Sequence, residues 1–212
     1  MHKFYIYLLL VLTFAVYIPT TESNFLNWDD NAYITENPDT QNLSFKSIKL
    51  YFTKSYNNTY VPLSMLSWAV EYSIFGDNPF VFILNNILLH LLCVFLVFKI
   101  SKYFFDNNWL SLFVAAIFAL HPVHVESVSW ITERKDVLYA FFYFLALWCY
   151  LKDLNRKTAK RKYYILSIIF LILSLLSKGQ AVSFVIFIIL IDIYFKKDWK
   201  KWKNLREKIP FF

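Results

Sequence analysis

Two adjacent carboxylates near the start of the chain are the first residues suited to chemistry. Asp29 and Asp30 follow Trp28 and precede Asn31, in a polar stretch that comes soon after an apolar block. Paired carboxylates can serve as a general base or bind a cation. A solvated turn is the alternative interpretation, since an acidic pair alone has low specificity.

A second polar segment combines histidines, acids and bases. If this segment is helical, His121 and His124 share a face at a spacing of three residues, as do Glu133 and Asp136. Zinc ligation stays open, although the spacing lacks the His-Glu-x-x-His pattern, and histidine–carboxylate pairs are also common as structural groups. No cofactor is assigned with certainty, and a divalent metal remains an option. The segment contains His121, His124, Glu126, Glu133, Arg134, Lys135 and Asp136.

Lys178 is a cation in a four-residue link between two apolar blocks. An ionisable group so close to hydrocarbon is costly and therefore suggests a function. Together with Arg134 and Lys135, it suits a lipid-linked phosphate at the membrane surface. The alternative is that Lys178 only extends its ammonium group to the interface.

Long apolar blocks must position these residues, because 58% of the 212 residues are hydrophobic. Each block approaches the length of a membrane-spanning helix. The pattern predicts an all-α polytopic membrane protein with a long first extracytoplasmic loop, 19–79, in which 61–75 forms an interfacial helix. We interpret the first block as a retained anchor rather than a signal peptide. Cys93 and Cys149 are predicted to be small buried residues. The predicted spans are 4–18, 80–98, 109–120, 137–151, 163–176 and 181–195.

The charges are distributed unequally between the two sides of these spans. With a cytoplasmic N-terminus, 16 of the 22 basic residues fall in cytoplasmic segments, whereas ten of the 15 acidic residues are extracytoplasmic. This is the asymmetry that the positive-inside rule describes. The net charge of +7 therefore indicates a membrane rather than nucleic acid as partner, and no nucleic-acid-binding motif is present. The three polar segments are predicted to share the extracytoplasmic face.

The order of these motifs resembles a known family. Trp28-Asp29-Asp30-Asn31-Ala32-Tyr33-Ile34 is followed by Tyr60-Val61-Pro62-Leu63, His121-Pro122-Val123-His124-Val125-Glu126 and Ser177-Lys178. It resembles the transmembrane O-mannosyltransferases that carry C-terminal tetratricopeptide repeats, and their bacterial relatives, within the GT-C class of glycosyltransferases. The resemblance covers about 27–181. It also implies further spans, and such repeats, after residue 212.

The resemblance implies an inverting transfer of a sugar, with mannose as the candidate, from a polyprenyl-phosphate carrier to a hydroxyl acceptor. The acceptor is usually Ser or Thr of a protein, and a glycan is the alternative. Asp29 and Asp30 correspond to the catalytic acidic pair, with Asp29 favoured as the base. The leaving phosphate would be bound by the three cations Arg134, Lys135 and Lys178. The substrate site would be shaped by the other polar residues, which are His121, His124, Glu126, Glu133 and Asp136.

Two departures from the family pattern bear on the source and the substrate. Val61 stands where an arginine is common before proline, and Gly179 stands where animal members have glutamate. With the Lys-, Asn-, Ile- and Phe-rich composition, they favour a bacterial cytoplasmic membrane, with the endoplasmic reticulum membrane as the eukaryotic alternative. Other functions left open are a transporter or lipid-handling protein and a non-catalytic platform for a repeat domain.

Overall fold

The computed structural model describes residues 2–154, 161–195 and 206–211. Most of the chain in these ranges is helical, and β-type pairing there is limited to one isolated bridge between Tyr56 and Thr59. This confirms the predicted all-α polytopic membrane fold. The basic residues Arg156, Lys157 and Lys160, and the basic and aromatic residues of 196–205, lie outside the described residues.

Six apolar helices coincide with the six predicted spans. They are α1 (His2–Tyr17), α5 (Pro79–Phe105), α6 (Asn108–Leu120), α8 (Arg134–Leu154), α9 (Lys162–Ser177) and α10 (Phe184–Tyr194).

Not all six are long enough to cross a membrane alone. In the described ranges, Phe4–Glu22, Pro79–Phe105 and Ile131–Leu154 are long and apolar enough to do so. A fourth span arises if Asn108–Leu120 and Pro122–Ser129, which meet at a bend of 48°, cross together. Helices α9 and α10 are apolar but shorter. The count of six spans therefore stays a prediction.

Helix α5 runs beyond its apolar block because its end is set by backbone chemistry. The apolar run ends at Phe98, but the backbone remains helical until Asp106, which adopts a left-handed conformation with φ 48°. Asn107 then caps α6, accepting hydrogen bonds from the backbone N–H groups of Trp109 and Leu110. A left-handed residue and an N-capping asparagine are typical signals for ending one helix and starting the next.

The long first loop is itself folded. After a 3-10 turn at Ile18–Glu22, it contains a wide helical turn at Asn31–Thr35 and three helices. Its last helix ends at Gly76, whose φ of 65° suits glycine. The predicted interfacial helix thus exists as a helix, and its position in the membrane interface stays a prediction. The three helices are α2 (Pro38–Gln41), α3 (Phe45–Tyr51) and α4 (Pro62–Phe75).

A hydrophobic core fixes this loop onto one end of the helix bundle. Tyr33 and Trp68 of the loop are fully buried, with ring centroids 5.3 Å apart. They belong to the same cluster as Phe82 of α5 and Val137 of α8. Burying large aromatic side chains supplies most of the stabilisation of such a contact. The loop is therefore held rigidly above the N-terminal ends of α5 and α8.

Polar residues inside α5 join it to its neighbours. His90 Nε2 lies 3.1 Å from the Ala119 carbonyl oxygen, and Asn85 donates to Glu71 of α4 at 2.9 Å. Asn86 donates to the Trp130 carbonyl at 3.0 Å. Through these contacts the three side chains serve as hydrogen-bonding groups between segments, which apolar surroundings favour.

The two cysteines are free and buried, as predicted. Neither sulfur is paired with the other, and Cys93 Sγ donates to the Val137 carbonyl oxygen at 3.7 Å. At the end of the described chain, Ile209–Phe211 forms a 3-10 turn in which Phe211 packs on Tyr150, Tyr164 and Phe184.

Candidate active site

Asp30 is a buried anchor between two distant segments. Its Oδ1 accepts hydrogen bonds from Trp130 Nε1 at 2.9 Å, from the Thr132 backbone N–H at 3.2 Å and from the Thr132 hydroxyl at 2.7 Å. Its Oδ2 accepts from the Leu26 backbone N–H at 2.8 Å. The side chain is fully enclosed. With both oxygens occupied, Asp30 fastens the first loop to the segment before α8, about 100 residues later in the chain.

Asp29 points to a different environment from its neighbour. Its Oδ2 accepts a hydrogen bond from Lys135 Nζ at 3.2 Å, and its Oδ1 accepts one from the Asn57 amide at 3.0 Å. The side chain keeps 21% of its surface exposed. Asp29 is thus a partly accessible carboxylate with a fixed orientation, as a general base requires. The structure therefore gives these two adjacent carboxylates different environments.

A cluster of alternating charges extends from Asp29. Lys135 lies 3.3 Å from Glu133 Oε1, and Lys178 lies 3.6 Å from Glu133 Oε2 while pairing directly with Asp136. Three carboxylates therefore surround two ammonium groups at the junction of the first loop, α8 and the α9–α10 link. Lys178 is held there partly because the Ser177 carbonyl accepts a hydrogen bond from Ser64 of α4 at 3.1 Å. The structure brings Asp29, Glu133, Lys135, Asp136 and Lys178 together.

Lys135 has an aromatic neighbour as well. Its Nζ lies 5.0 Å from the centroid of the Tyr33 ring, within the range of a cation–π interaction. This contact holds the lysine side chain on the loop side of α8, beneath Asp29. The orientation of the Lys135–Asp29 ion pair is therefore set by the first loop as well as by α8.

Arg134 does not face this cluster. Its guanidinium is 1% exposed, pairs with Glu71, donates through Nε to Asn86 Oδ1 at 2.6 Å and donates through Nη2 to the Phe82 carbonyl at 2.6 Å. Burial raises the pKa of the Glu71 carboxyl, and the guanidinium opposes that shift. Arg134 joins α4, α5 and α8, so the cations of the cluster are Lys135, whose side chain is largely buried, and Lys178, whose side chain is partly exposed.

The histidine segment lies beside the cluster and lines a separate cavity. His121 Nδ1 accepts from the Val123 backbone N–H at 3.2 Å, and the His121 and His124 ring centroids are 6.5 Å apart. His124 packs on Phe118, with centroids 4.6 Å apart. His124, His90 and Asp136 line the cavity of about 210 Å³. Asp136 thus borders both the charged cluster and this cavity.

His121 and Glu126 are exposed, and the Glu126 carboxylate makes no hydrogen bond or ion pair within the described ranges. They do not belong to the cluster around Asp29. Within the same ranges, no group of three or more histidine, cysteine, aspartate or glutamate side chains has the geometry of a metal site.

Four residues at the site have roles that sequence reasoning missed. Trp130 and Thr132 hold Asp30, Asn57 holds Asp29, and Glu71 balances Arg134. One signal was available, since Glu71 is an acid inside an otherwise apolar helix and such a group needs a cationic partner. The other contacts join residues 28 to 102 positions apart, a separation at which periodicity says nothing about pairing.

The geometry is that of a polytopic membrane protein with a charged site at the ends of its helices. The family of dolichyl-phosphate-mannose-protein mannosyltransferases matches residues 61–211. This chain belongs to that family, which confirms the resemblance deduced from its motifs.

Individual relatives agree with this assignment. The mouse (Mus musculus) protein O-mannosyl-transferase TMTC1 is 36% identical over 104 residues, covering 49% of this chain and 11% of the relative. Mouse TMTC2 is 29% identical over 154 residues, covering 69% and 18%. Tmtc1 of Drosophila melanogaster is 29% identical over 192 residues, covering 86% and 22%. No solved structure matches the chain.

Proposed function

We propose that this chain forms the catalytic region of a membrane glycosyltransferase. It moves a sugar from a polyprenyl-phosphate carrier to a hydroxyl acceptor, a protein Ser or Thr, on the extracytoplasmic face. The relatives are named protein O-mannosyl-transferases, which supports mannose as the sugar. The chain spans 11–22% of the length of these relatives, so their activity supports this proposal without establishing it.

The observation that carries the proposal is the contrast between Asp29 and Asp30. Asp30 is buried with both oxygens engaged, whereas Asp29 is accessible and held by Lys135 and Asn57. In the proposed reaction, the acceptor hydroxyl attacks the anomeric carbon of the sugar and its proton passes to the Asp29 carboxylate. The bond between that carbon and the phosphate oxygen breaks, and the carrier phosphate leaves with the bonding electrons. Attack opposite the leaving group inverts the configuration, as in the GT-C class.

Lys135 and Lys178 supply the positive charge that this reaction needs. Negative charge accumulates on the carrier phosphate as it departs, and fixed cations near that position stabilise the transition state. Both ammonium groups already lie within a cluster of carboxylates, so their positions are set before the donor binds. We propose that the donor phosphate binds at these two lysines, and that Arg134 supports the site from below. Glu133 and Asp136 of the cluster border the substrate site in the same proposal, and His124 lies beside that site in the cavity that Asp136 also lines.

The proposed reaction also requires the site to lie near the membrane surface. A polyprenyl carrier keeps its chain in the bilayer, so the reacting phosphate must stay near the membrane surface. The charged cluster lies at the N-terminal end of α8, at one end of an apolar helix rather than at its middle. A transporter would instead favour ionisable groups near the bilayer midplane. We place the protein in a bacterial cytoplasmic membrane, or in the endoplasmic reticulum membrane of a eukaryote.

Substitution of Asp29 by asparagine tests the proposal. In membranes that contain the intact protein and a polyprenyl-phosphate sugar donor, Asp29→Asn should lower transfer at least about a hundredfold, since loss of a general base costs about 10²–10⁴-fold. Protein level and thermal stability should stay near those of the unsubstituted protein, because Asp29 is partly exposed.

Asp77→Asn is the matched control. Asp77 is an exposed acid of the same loop whose side chain makes no hydrogen bond or ion pair in the described ranges. The Asp77→Asn variant should transfer sugar as fast as the unsubstituted protein. Equal transfer by Asp29→Asn and Asp77→Asn would overturn the proposed role of Asp29.

A further inference from the structure

A second cavity lies at the opposite end of the helix bundle from the charged cluster. Its volume is about 780 Å³, and it opens between α1, α5, α6 and α8. Lys99 follows Asn86 by 13 residues along α5, and Trp148 follows Lys135 by 13 residues along α8. At 1.5 Å per residue, both intervals place this cavity about 20 Å along the helices from the site. Its lining includes Ile6, Phe95, Phe98, Lys99, Lys102 and Trp148.

Two cations, Lys99 and Lys102, line the cavity. In the ranges that the structure describes, neither Lys99 nor Lys102 has a carboxylate within ion-pair distance. Lys99 Nζ lies between two rings, 5.2 Å from the Phe95 centroid and 5.4 Å from the Trp148 centroid. Asp106 also lines the cavity, so the described lining residues carry two positive charges and one negative charge. A cation beside apolar helices gains considerably from an anion that replaces lost hydration.

A polar atom in the same cavity also suggests a ligand. Asn108 lines the cavity, and its Oδ1 is buried without a hydrogen-bond partner among the described residues. A buried acceptor of this kind is costly unless a donor reaches it. A hydroxyl group on a bound molecule would satisfy it. The apolar walls of Ile6, Phe95 and Phe98 would suit a hydrocarbon chain beside that group.

We propose that this cavity binds an anionic phospholipid with a hydroxyl-bearing headgroup, taken from the leaflet next to the basic loops. The phosphate pairs with Lys99 and Lys102, the headgroup hydroxyl donates to Asn108, and an acyl chain lies along the apolar wall. Cationic pockets between membrane helices on the cytoplasmic side are suited to anionic headgroups. The site is separate from the charged cluster and does not depend on the transfer reaction.

Native mass spectrometry of the intact protein tests this site. The protein is reconstituted in nanodiscs with equal amounts of phosphatidylglycerol and phosphatidylcholine of the same acyl chains, and the retained lipid is identified after release. The unsubstituted protein should retain one phosphatidylglycerol in preference. At about 1 kcal/mol for each lysine, Lys99→Gln or Lys102→Gln should weaken retention about fivefold, and the double variant about 25-fold.

Three variants make the result specific. Lys162→Gln removes the same charge from an exposed position at the start of α9, outside the cavity, and should retain the lipid. Replacing both cavity lysines by arginine keeps the charge and should restore retention. Asp29→Asn should also retain the lipid, so failure of the transfer proposal would not affect this result.

Three outcomes would overturn the proposal. One is equal retention of phosphatidylglycerol by the unsubstituted protein and the double glutamine variant. Another is an equal loss in Lys162→Gln, which would indicate general surface charge instead of a site. Displacement of the lipid by millimolar inorganic phosphate would also contradict it, because the proposed site requires both headgroup and chain.

Discussion

Asp29 and Asp30 show how adjacent identical side chains acquire different roles. Their sequence context predicted a functional acidic pair and favoured Asp29, but it contained no information on what each oxygen contacts. The contacts arise from residues 130 and 132 for Asp30, and from residues 57 and 135 for Asp29. The acidic pair is therefore better described as one anchor and one candidate base.

Asn57 should affect transfer by positioning Asp29. Its amide donates to Asp29 Oδ1 at 3.0 Å from a residue in left-handed conformation, φ 46°. A hydrogen bond to a charged group contributes about 1.5–3 kcal/mol. Asn57→Ala should therefore lower kcat/KM for sugar transfer at least about tenfold, measured with a fixed donor and varied acceptor.

The adjacent asparagine is a close control for that experiment. Asn58 also has a positive φ, 58°, but its side chain makes no hydrogen bond in the described ranges. Asn58→Ala therefore introduces a similar backbone cost without removing a contact to Asp29. If both variants lose transfer equally, the effect comes from the turn and not from the hydrogen bond.

Asp30 should affect stability more than Asp29 does. Asparagine at this position replaces one acceptor oxygen by an N–H donor, which would face the donors of Thr132 and Trp130 or of Leu26. A buried mismatch of this kind costs about 1–3 kcal/mol. Asp30→Asn should lower the thermal unfolding midpoint in detergent, whereas Asp29→Asn should leave it nearly unchanged. Equal midpoints for the two variants would contradict the anchor role.

The helices connect through a buried ion pair that hydropathy could not predict. The sequence predicted an interfacial helix at 61–75, and the family resemblance implied that Arg134 binds the leaving phosphate. In the structure Glu71 and Arg134 pair across α4 and α8, beside Asn86 of α5. Hydropathy locates a helix and periodicity indicates its buried face, but neither identifies the partner across that face.

Removing one member of this pair should destabilise the protein strongly. Glu71→Leu leaves the Arg134 charge buried without compensation, and breaking such a pair typically costs about 3–5 kcal/mol. The thermal unfolding midpoint should therefore drop sharply. A double variant, Glu71→Leu with Arg134→Met, should recover part of that loss. A single variant as stable as the unsubstituted protein would show that the pair contributes little.

Helix boundaries show where sequence patterns have limits. The prediction for α8 was 137–151, and the helix is Arg134–Leu154, because the charged residues of its first and last turns lower hydropathy without breaking the helix. The block at 181–195 begins with a 3-10 turn, Gly179–Ser183, before α10 starts at Phe184. Apolar content therefore locates the helices, whereas capping residues and turns set their ends.

The arrangement of the chain across the membrane remains a prediction from charge asymmetry. The fold class followed from composition, because backbone within a bilayer must satisfy its hydrogen bonds internally, and apolar blocks of this length do so as helices. The assembly of three distant polar segments into one cluster agrees with that topology, since Asp29, Lys135 and Lys178 meet at one end of the bundle. Their individual pairings required the structure.

Cysteine labelling checks this topology. The two native cysteines are buried, so they should react slowly with a membrane-impermeant maleimide. Ser73→Cys, at an exposed position of α4, should react from the extracytoplasmic side of intact cells. Lys162→Cys, at the exposed start of α9, should react only after the membrane is opened. Labelling of both positions from the same side would contradict the proposed sidedness.

Release of the carrier is the most direct test of the proposed chemistry. The intact protein in proteoliposomes is supplied with a radiolabelled polyprenyl-phosphate mannose and a hydroxyl-bearing peptide acceptor, and both products are quantified. The unsubstituted protein and Asp77→Asn should form glycosylated peptide and free polyprenyl phosphate in equal amounts, and Asp29→Asn should form at least about a hundredfold less. Equal product formation by all three proteins would contradict the assignment of Asp29 as the base.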